Sequence, residues 1–370
     1  MNQVLSLKKL LPILVLTASF SLIFSCANNP EVKPEVLAVA VDTDIVRFDL
    51  EFDKASEAEI PQLKAKYPQL FPQQYPDSFW IAKKRDTLLQ ALAREVQKSF
   101  PDFSEQEVQL QLLFQHLKYY FPDFKPPRVY TVISEVDYKD PVLWAAGEMS
   151  IGLDNYLGAT HPFYEGIPLY ISANMEPSQL IVDVANLASR AYVPPARDRS
   201  FLGQMLYHGK LLYLQSLLLP LESEADILGY SEAQFQWAQA NEMDIWRYFV
   251  EREVLYDTNP KLLNQFINPA PFSKFYLEID NESPGRIGRY MGLQMVKAFM
   301  DNTGSSLSEM LTTPADQLYQ QSKYKPKKEW QIIILQRYRL KSNWTRIEFR
   351  KNCVGAPPMA ELPIRNPRRP

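Results

Sequence analysis

A chain of 370 residues, 46% of them hydrophobic, is long enough to bury one large core or two closely packed ones. Its formal net charge is −3, but residues 325–370 hold 12 basic and 3 acidic side chains, so the preceding part stands at −12. An acidic body excludes nucleic-acid recognition through the bulk field, and 2 cysteines exclude a disulfide-stapled scaffold.

The chain opens on "MNQVLSLKKLLPILVLTASFSLIFSC", in which Lys8 and Lys9 precede an apolar run over residues 10–24, then Ser25 and Cys26. The order is that of an export signal, and the run is too short for a comfortable span of about 20 residues. Its end, "IFSC", resembles a bacterial lipobox. Residues 1–25 then read as a lipoprotein signal peptide, Cys26 as the acylated mature N-terminus and 26–35 as a lipidated tether. An ordinary secretory signal with an incidental cysteine stays open. Cys353 is the other cysteine.

Residues 36–324 read as a single α+β domain. Alternation in "LAVAVDTDIVRFDLEF" predicts a strand over residues 36–52. Val108, Leu112, Phe114 and Leu117, with Ser104 as cap and Pro122 as stop, predict a helix. "PRVYTVISEVDY" and "PLYIS" read as strands flanking a loop at 153–166. After Gln179 nearly everything reads as helix, including "SEAQFQWAQANEMDIWRYFVEREVL" as one segment. A small mixed β-sheet followed by a mainly helical bundle is the expected fold. Residues 325–370 form a basic C-terminal tail with three readings open: contact with anionic lipid or a partner, an extension without a packed role, or a shifted reading frame.

The chemistry-bearing residues are sparse. His116, His161 and His208 are 45 and 47 apart, and HExxH, CxxC and GxSxG are all absent. No catalytic residue, metal ligand or cofactor is therefore assigned. His116 and His208 read as packing histidines, the latter on a strongly apolar helix. Glu242, Trp246, Arg247 and Glu251 share a helix face that reads as a solvated, intrahelically paired surface. Gly285, Gly288 and Gly292 follow neither the Walker nor the dinucleotide pattern. Three and four apart after Pro284, they predict a smooth helix face for close approach, with Ile287, Met291, Val296 and Phe299 as the core-facing stripe.

The loop "LDNYLGATHPFYEG" gathers Asp154, Asn155, Tyr156, His161, Tyr164 and Glu165 where a scaffold positions side chains within reach. Candidate partner-binding residues are Asp154, His161 and Tyr164 here, with Glu282 and Arg286 ahead of the glycine face. A turn that caps itself is the competing reading.

The succession of a lipobox, "VRFDLEF", "LKAKYPQLFP", "YYFPDF", "LDNYLGATHPFY", "QWAQANEMDIWRYFVEREVLY" and "PFSKFYLEIDNESPGRIGRYMGLQMVKAFM" resembles the GldB family of gliding-motility lipoproteins of Bacteroidota. It covers residues 1 to about 328 and leaves out the tail from Glu329. The resemblance implies a lipid-anchored, periplasm-facing envelope protein needed for gliding. Its implied partners are the membrane, reached through the anchor, and other gliding-motility or type IX secretion proteins, and no reaction is implied. More distantly, the helix order is similar to zincin-type peptidases. Where their metal ligands and general base would stand, "QLIVDVANLASRAYV" offers Asp183, Val184 and Leu187. Valine and leucine neither bind zinc nor move a proton. A degenerate zincin-like fold acting as a non-catalytic binding or structural component is the expectation, with an unrecognised zincin-like metallohydrolase as the alternative.

Overall fold

A computed structural model describes residues 32–277 and 280–326. Cys26, Cys353 and the tail from residue 327 lie outside the described residues, as do residues 1–25, read above as a signal peptide. Elements run in the order α1 (Pro34–Leu37), β1 (Ile45–Val46), α2 (Phe48–Lys54), α3 (Ile60–Lys66), α4 (Asp77–Arg85), α5 (Thr87–Ser99), α6 (Ser104–Tyr120), β2 (Arg128–Val132), β3 (Val142–Ala145) and β4 (Glu148–Gly152). There follow α7 (Leu169–Ser172), α8 (Gln179–Tyr192), α9 (Phe201–Leu218), α10 (Glu224–Leu228), α11 (Glu232–Ala240), α12 (Glu242–Glu251), α13 (Lys261–Phe266), α14 (Ile287–Thr303), α15 (Leu307–Thr312) and α16 (Ala315–Ser322). The class is α+β, as expected.

The sheet has the order β1-β2-β4-β3, with β1, β2 and β4 parallel and β3 antiparallel on the β4 edge. The β3–β4 hairpin turns on Ala146 and Gly147, whose φ of +52 and +82 match the strand twist as a primed turn does. Strand alternation sends Val129 into the main core, while Tyr130 joins Phe48, Leu63, Tyr67 and Phe71 in a smaller cluster on the other face.

Three expectations about order and type are corrected. Helices α2 to α6 lie between β1 and β2, so the sheet does not simply precede the bundle. Residues 36–52 are not one strand, since only Ile45–Val46 pair. Phe48 and Phe52 are four apart as well as alternating, and α2 places both against Phe71. Asp49 is buried within this helix, clamped by Arg47 at 2.9 and 2.8 Å and by the Thr131 hydroxyl. "PLYIS" is not a strand but the single turn α7.

The helical expectations hold with adjusted boundaries. In α6 the cap oxygen comes from Asp102, which accepts from Ser104 N and Oγ at 3.1 and 2.6 Å. The segment 232–251 breaks at Asn241 into α11 and α12. The helix α5, absent from the expectations, is capped by Asp86, which accepts from Leu88 N and Leu89 N.

The bundle is organised by α9 against α14. Ile287, Met291, Val296 and Phe299 are all buried, as the stripe predicts. Gly288 and Gly292 provide the close face, while Gly285 precedes the helix and packs against Ala270 O. Pro284 does not start α14, because Arg286 intervenes with a left-handed φ of 62°.

Candidate functional site

Helix α8 carries two faces. Ile181, Val184, Ala185 and Ala188 are buried, whereas Asp183, Asn186, Leu187 and Arg190, at i, i+3, i+4 and i+7, line a cleft. Opposite stand Arg286 and Arg289 from the start of α14, and Asn155 and Tyr156 from the turn that follows β4. The cleft holds about 360 Å³, and Lys139 and Asp140 also line it. A larger cavity of about 570 Å³ adjoins the smaller hydrophobic cluster, lined by Phe48, Phe52, Phe79 and Trp80. Convergent charge makes the smaller cleft the candidate site.

On the cleft wall the Tyr156 hydroxyl donates to Asp183 Oδ2 at 3.0 Å. Burial pushes the Asp183 carboxyl up to about 6, against the lowering pull of the Tyr156 bond and of Arg190 and Arg286. Arg286 donates to Gly229 O at 2.8 Å, and its guanidinium lies 5.8 Å from the Tyr230 ring centroid. Tyr230 in turn donates to Gly285 O at 2.6 Å, fixing the backbone just before Arg286. Arg289 donates from Nε to Ile267 O at 2.7 Å; burial, with the repulsion of Arg286 and Arg190, brings it down to about 9. Desolvation also lowers Arg286. On α9, burial and the field of Arg289 and Arg190 bring His208 down to about 3, so it is a neutral packing histidine.

The sequence-predicted residues divide. Asp154 is fully buried, so its expected place on a reachable surface is corrected. Its carboxylate accepts from Ser134 N at 2.8 Å, Ser134 Oγ at 3.0 Å and Val136 N at 2.5 Å. These bonds hold a turn in which Glu135 and Val136 have positive φ. Tyr164 is buried too, accepting from Leu157 N at 2.8 Å and donating to Asp154 O at 2.9 Å. His161 caps its own turn through Phe163 N and lies 3.7 Å from Glu95. The loop therefore caps itself around Asp154 and Tyr164. Glu282 is exposed, and Arg286 alone of the five lines the cleft.

The family model of gliding motility protein GldB matches residues 29–326. The chain belongs to the GldB family. Searches of the curated proteins and of the solved structures return no match. The matched region of this GldB-family chain contains the whole cleft and stops before Glu329.

Elsewhere in this GldB-family chain, the solvated reading of α12 is corrected at Glu242, which is buried and accepts from the Tyr290 and Tyr324 hydroxyls at 2.7 and 2.8 Å. Arg247 does pair intrahelically with Asp244 at 2.9 Å, both exposed. His116 is buried, its Nδ1 2.9 Å from Leu112 O. Among the described residues no group of three or more His, Cys, Asp or Glu side chains is placed to hold a metal ion. Nor is any described helix long and apolar enough to cross a membrane.

Asp183 is legible on its helix from the sequence, whereas Arg190 and Arg289 emerge as its partners only in the fold. The signals were the spacing of seven between Asp183 and Arg190 and of three between Arg286 and Arg289.

Proposed function

We propose that this chain is a lipid-anchored, periplasm-facing component of the cell envelope required for gliding motility, and that it acts by binding a partner of the motility or type IX secretion machinery rather than by catalysis. Membership of the GldB family supports the motility role, and the "IFSC" lipobox supports the anchor.

The observation that carries the binding reading is the composition of the cleft. Among the described residues its lining contains no serine, cysteine or histidine, and so offers no hydroxyl or thiol nucleophile of the usual kind with an imidazole base. What it offers instead is three guanidiniums, suited to holding a group in place. The helix similar to the metal-bearing helix of zincins supports the same reading. Its Val184 is packed in the core and its Leu187 lines the cleft, so neither supplies a ligand.

One feature favours the metallohydrolase alternative: Asp183, raised to about 6, lies in the range useful to a general acid or base. Elemental analysis of the purified protein separates the two. Zinc at substoichiometric background is expected, and stoichiometric zinc accompanied by hydrolysis of a peptide substrate would overturn the binding reading. In cells, Arg190→Gln, at an exposed position of the cleft wall, is expected to abolish colony spreading at unchanged protein level.

A further inference from the structure

The charges around the cleft do not balance. Among the described residues that line it, Lys139, Arg190, Arg286 and Arg289 face only Asp140 and Asp183 as anions. Among the described residues no carboxylate lies within 4.0 Å of the three guanidiniums. Arg286 and Arg289 each commit a single donor group to a backbone carbonyl, and Arg190 commits Nε to Asn186 Oδ1 at 3.0 Å. A guanidinium carries five N–H donors, so most remain unspent. Arg286 and Arg289 are half-buried and Arg190 is exposed, and partly buried cations that share one cleft are unfavourable unless an anion joins them.

The backbone adds a second observation. Arg286 is a non-glycine residue held at φ 62° directly before α14, a conformation that costs about 1 kcal/mol or more and persists only where its surroundings enforce it. The enforcing contacts are the Tyr230 bond to Gly285 O and the Arg286 bond to Gly229 O. They hold the guanidinium at the cleft rather than in solvent.

A third observation concerns hydrogen-bond type. Asn155 lines the cleft at 2% exposure, and its Oδ1 is buried without a hydrogen-bond partner. Its Nδ2 is spent on Ser134 Oγ at 2.9 Å and Gly152 O at 3.1 Å. An unpaired buried acceptor beside unspent cationic donors calls for a ligand that is anionic and also carries an N–H.

We infer that the cleft binds the C-terminal carboxylate of a peptide segment, with the Arg286, Arg289 and Arg190 guanidiniums taking the carboxylate and Asn155 Oδ1 accepting a peptide N–H. This rests on the binding role proposed above and names its ligand class. A phosphate group fits less well. It brings no N–H for Asn155, and its second charge is opposed by Asp183 and Asp140. The cleft volume lies at the lower end of the range for ligand pockets, which suits the last residues of a chain rather than a folded surface.

The test uses the purified full-length protein in non-ionic detergent at low salt and neutral pH, titrated calorimetrically with trialanine as free acid, with its C-terminal amide and with inorganic phosphate. The free acid is expected to bind, the amide to bind about tenfold more weakly or worse, and phosphate to fail as a competitor. Arg286→Gln should weaken the free acid by a similar factor. Should that variant not fold, Arg190→Gln, on the exposed part of α8, carries the same expectation. Equal binding of acid and amide, or no binding of either, would overturn the inference; tighter binding of phosphate would overturn the peptide assignment in its favour. Cleavage of trialanine would uphold a peptide site while overturning the non-catalytic reading. If trialanine fails to bind although Arg190→Gln cells no longer spread, the inference fails and the motility role of the cleft stands.

Discussion

Gly209 and Gly292 meet backbone to backbone where α9 crosses α14. A Cβ added at Gly209 would lie 2.3 Å from Gly292 O, and one added at Gly292 would lie 1.9 Å from Met205 O. Both distances are far inside contact range and both neighbours are main chain, so no side-chain rotation relieves them. The glycine face therefore sets how closely these two long helices approach.

Substitution at this crossing is the most direct check on the fold. Gly292→Ala is expected to destabilise the protein by about 1–3 kcal/mol through overpacking, and Gly292→Leu by more. Thermal denaturation reads the effect. A melting temperature unchanged in both variants would mean that the helices do not cross at these glycines.

Asp154→Ala removes the acceptor for Ser134 N, Ser134 Oγ and Val136 N at a fully buried site. Each stranded buried donor costs about 1–3 kcal/mol, so the melting temperature and the cellular abundance should both fall. His161→Ala, at a self-capping turn, should cost less. If Asp154→Ala leaves stability intact while abolishing colony spreading, the loop acts on a partner after all.

Two groups near the cleft give pH dependences of opposite sign. His208 falls from an ordinary 6.5 to about 3 in the fold, so the unfolded chain binds the proton first. Its contribution is present above about pH 6.5 and is lost as pH drops through that window. Asp183 rises from 3.8 to about 6, so here the native state binds the proton first, and this group adds stability as pH falls from about 6 to about 4. Urea midpoints between about pH 4 and pH 7 should therefore fall less steeply on acidification in His208→Gln and more steeply in Asp183→Asn. Identical slopes in both variants would show that neither group is shifted.

Cys26→Ser is expected to release the protein from membranes, because no described helix is able to span a bilayer and the acyl chains are the proposed anchor. Fractionation after a high-salt wash checks this. Persistence of the variant in the pellet would assign membrane attachment to something other than Cys26.

What the sequence determined by itself was local. The apolar stripe of α14, the helices α8 and α9 and the α+β class follow from periodicity and composition, which act over one or two turns of chain. The motifs that carry the GldB resemblance are likewise written in contiguous residues. Tertiary structure decided what depends on partners far along the chain. Alternation at residues 48–52 is equally a spacing of four, and packing against Phe71 decided for helix over strand. Glu242 is buried because Tyr290 and Tyr324, 48 and 82 residues away, supply donors that a surface helix would lack. Asp154 was drawn inward by the backbone of residues 134–136. The cleft itself joins Tyr156 from the turn after β4, Asp183 and Arg190 from α8, and Arg286 and Arg289 from the start of α14, and Arg286 enters it through a left-handed backbone enforced by Tyr230 and Gly229. Periodicity assigns a residue to a face of its own helix; which other faces it meets is fixed only when the loops close and the core packs.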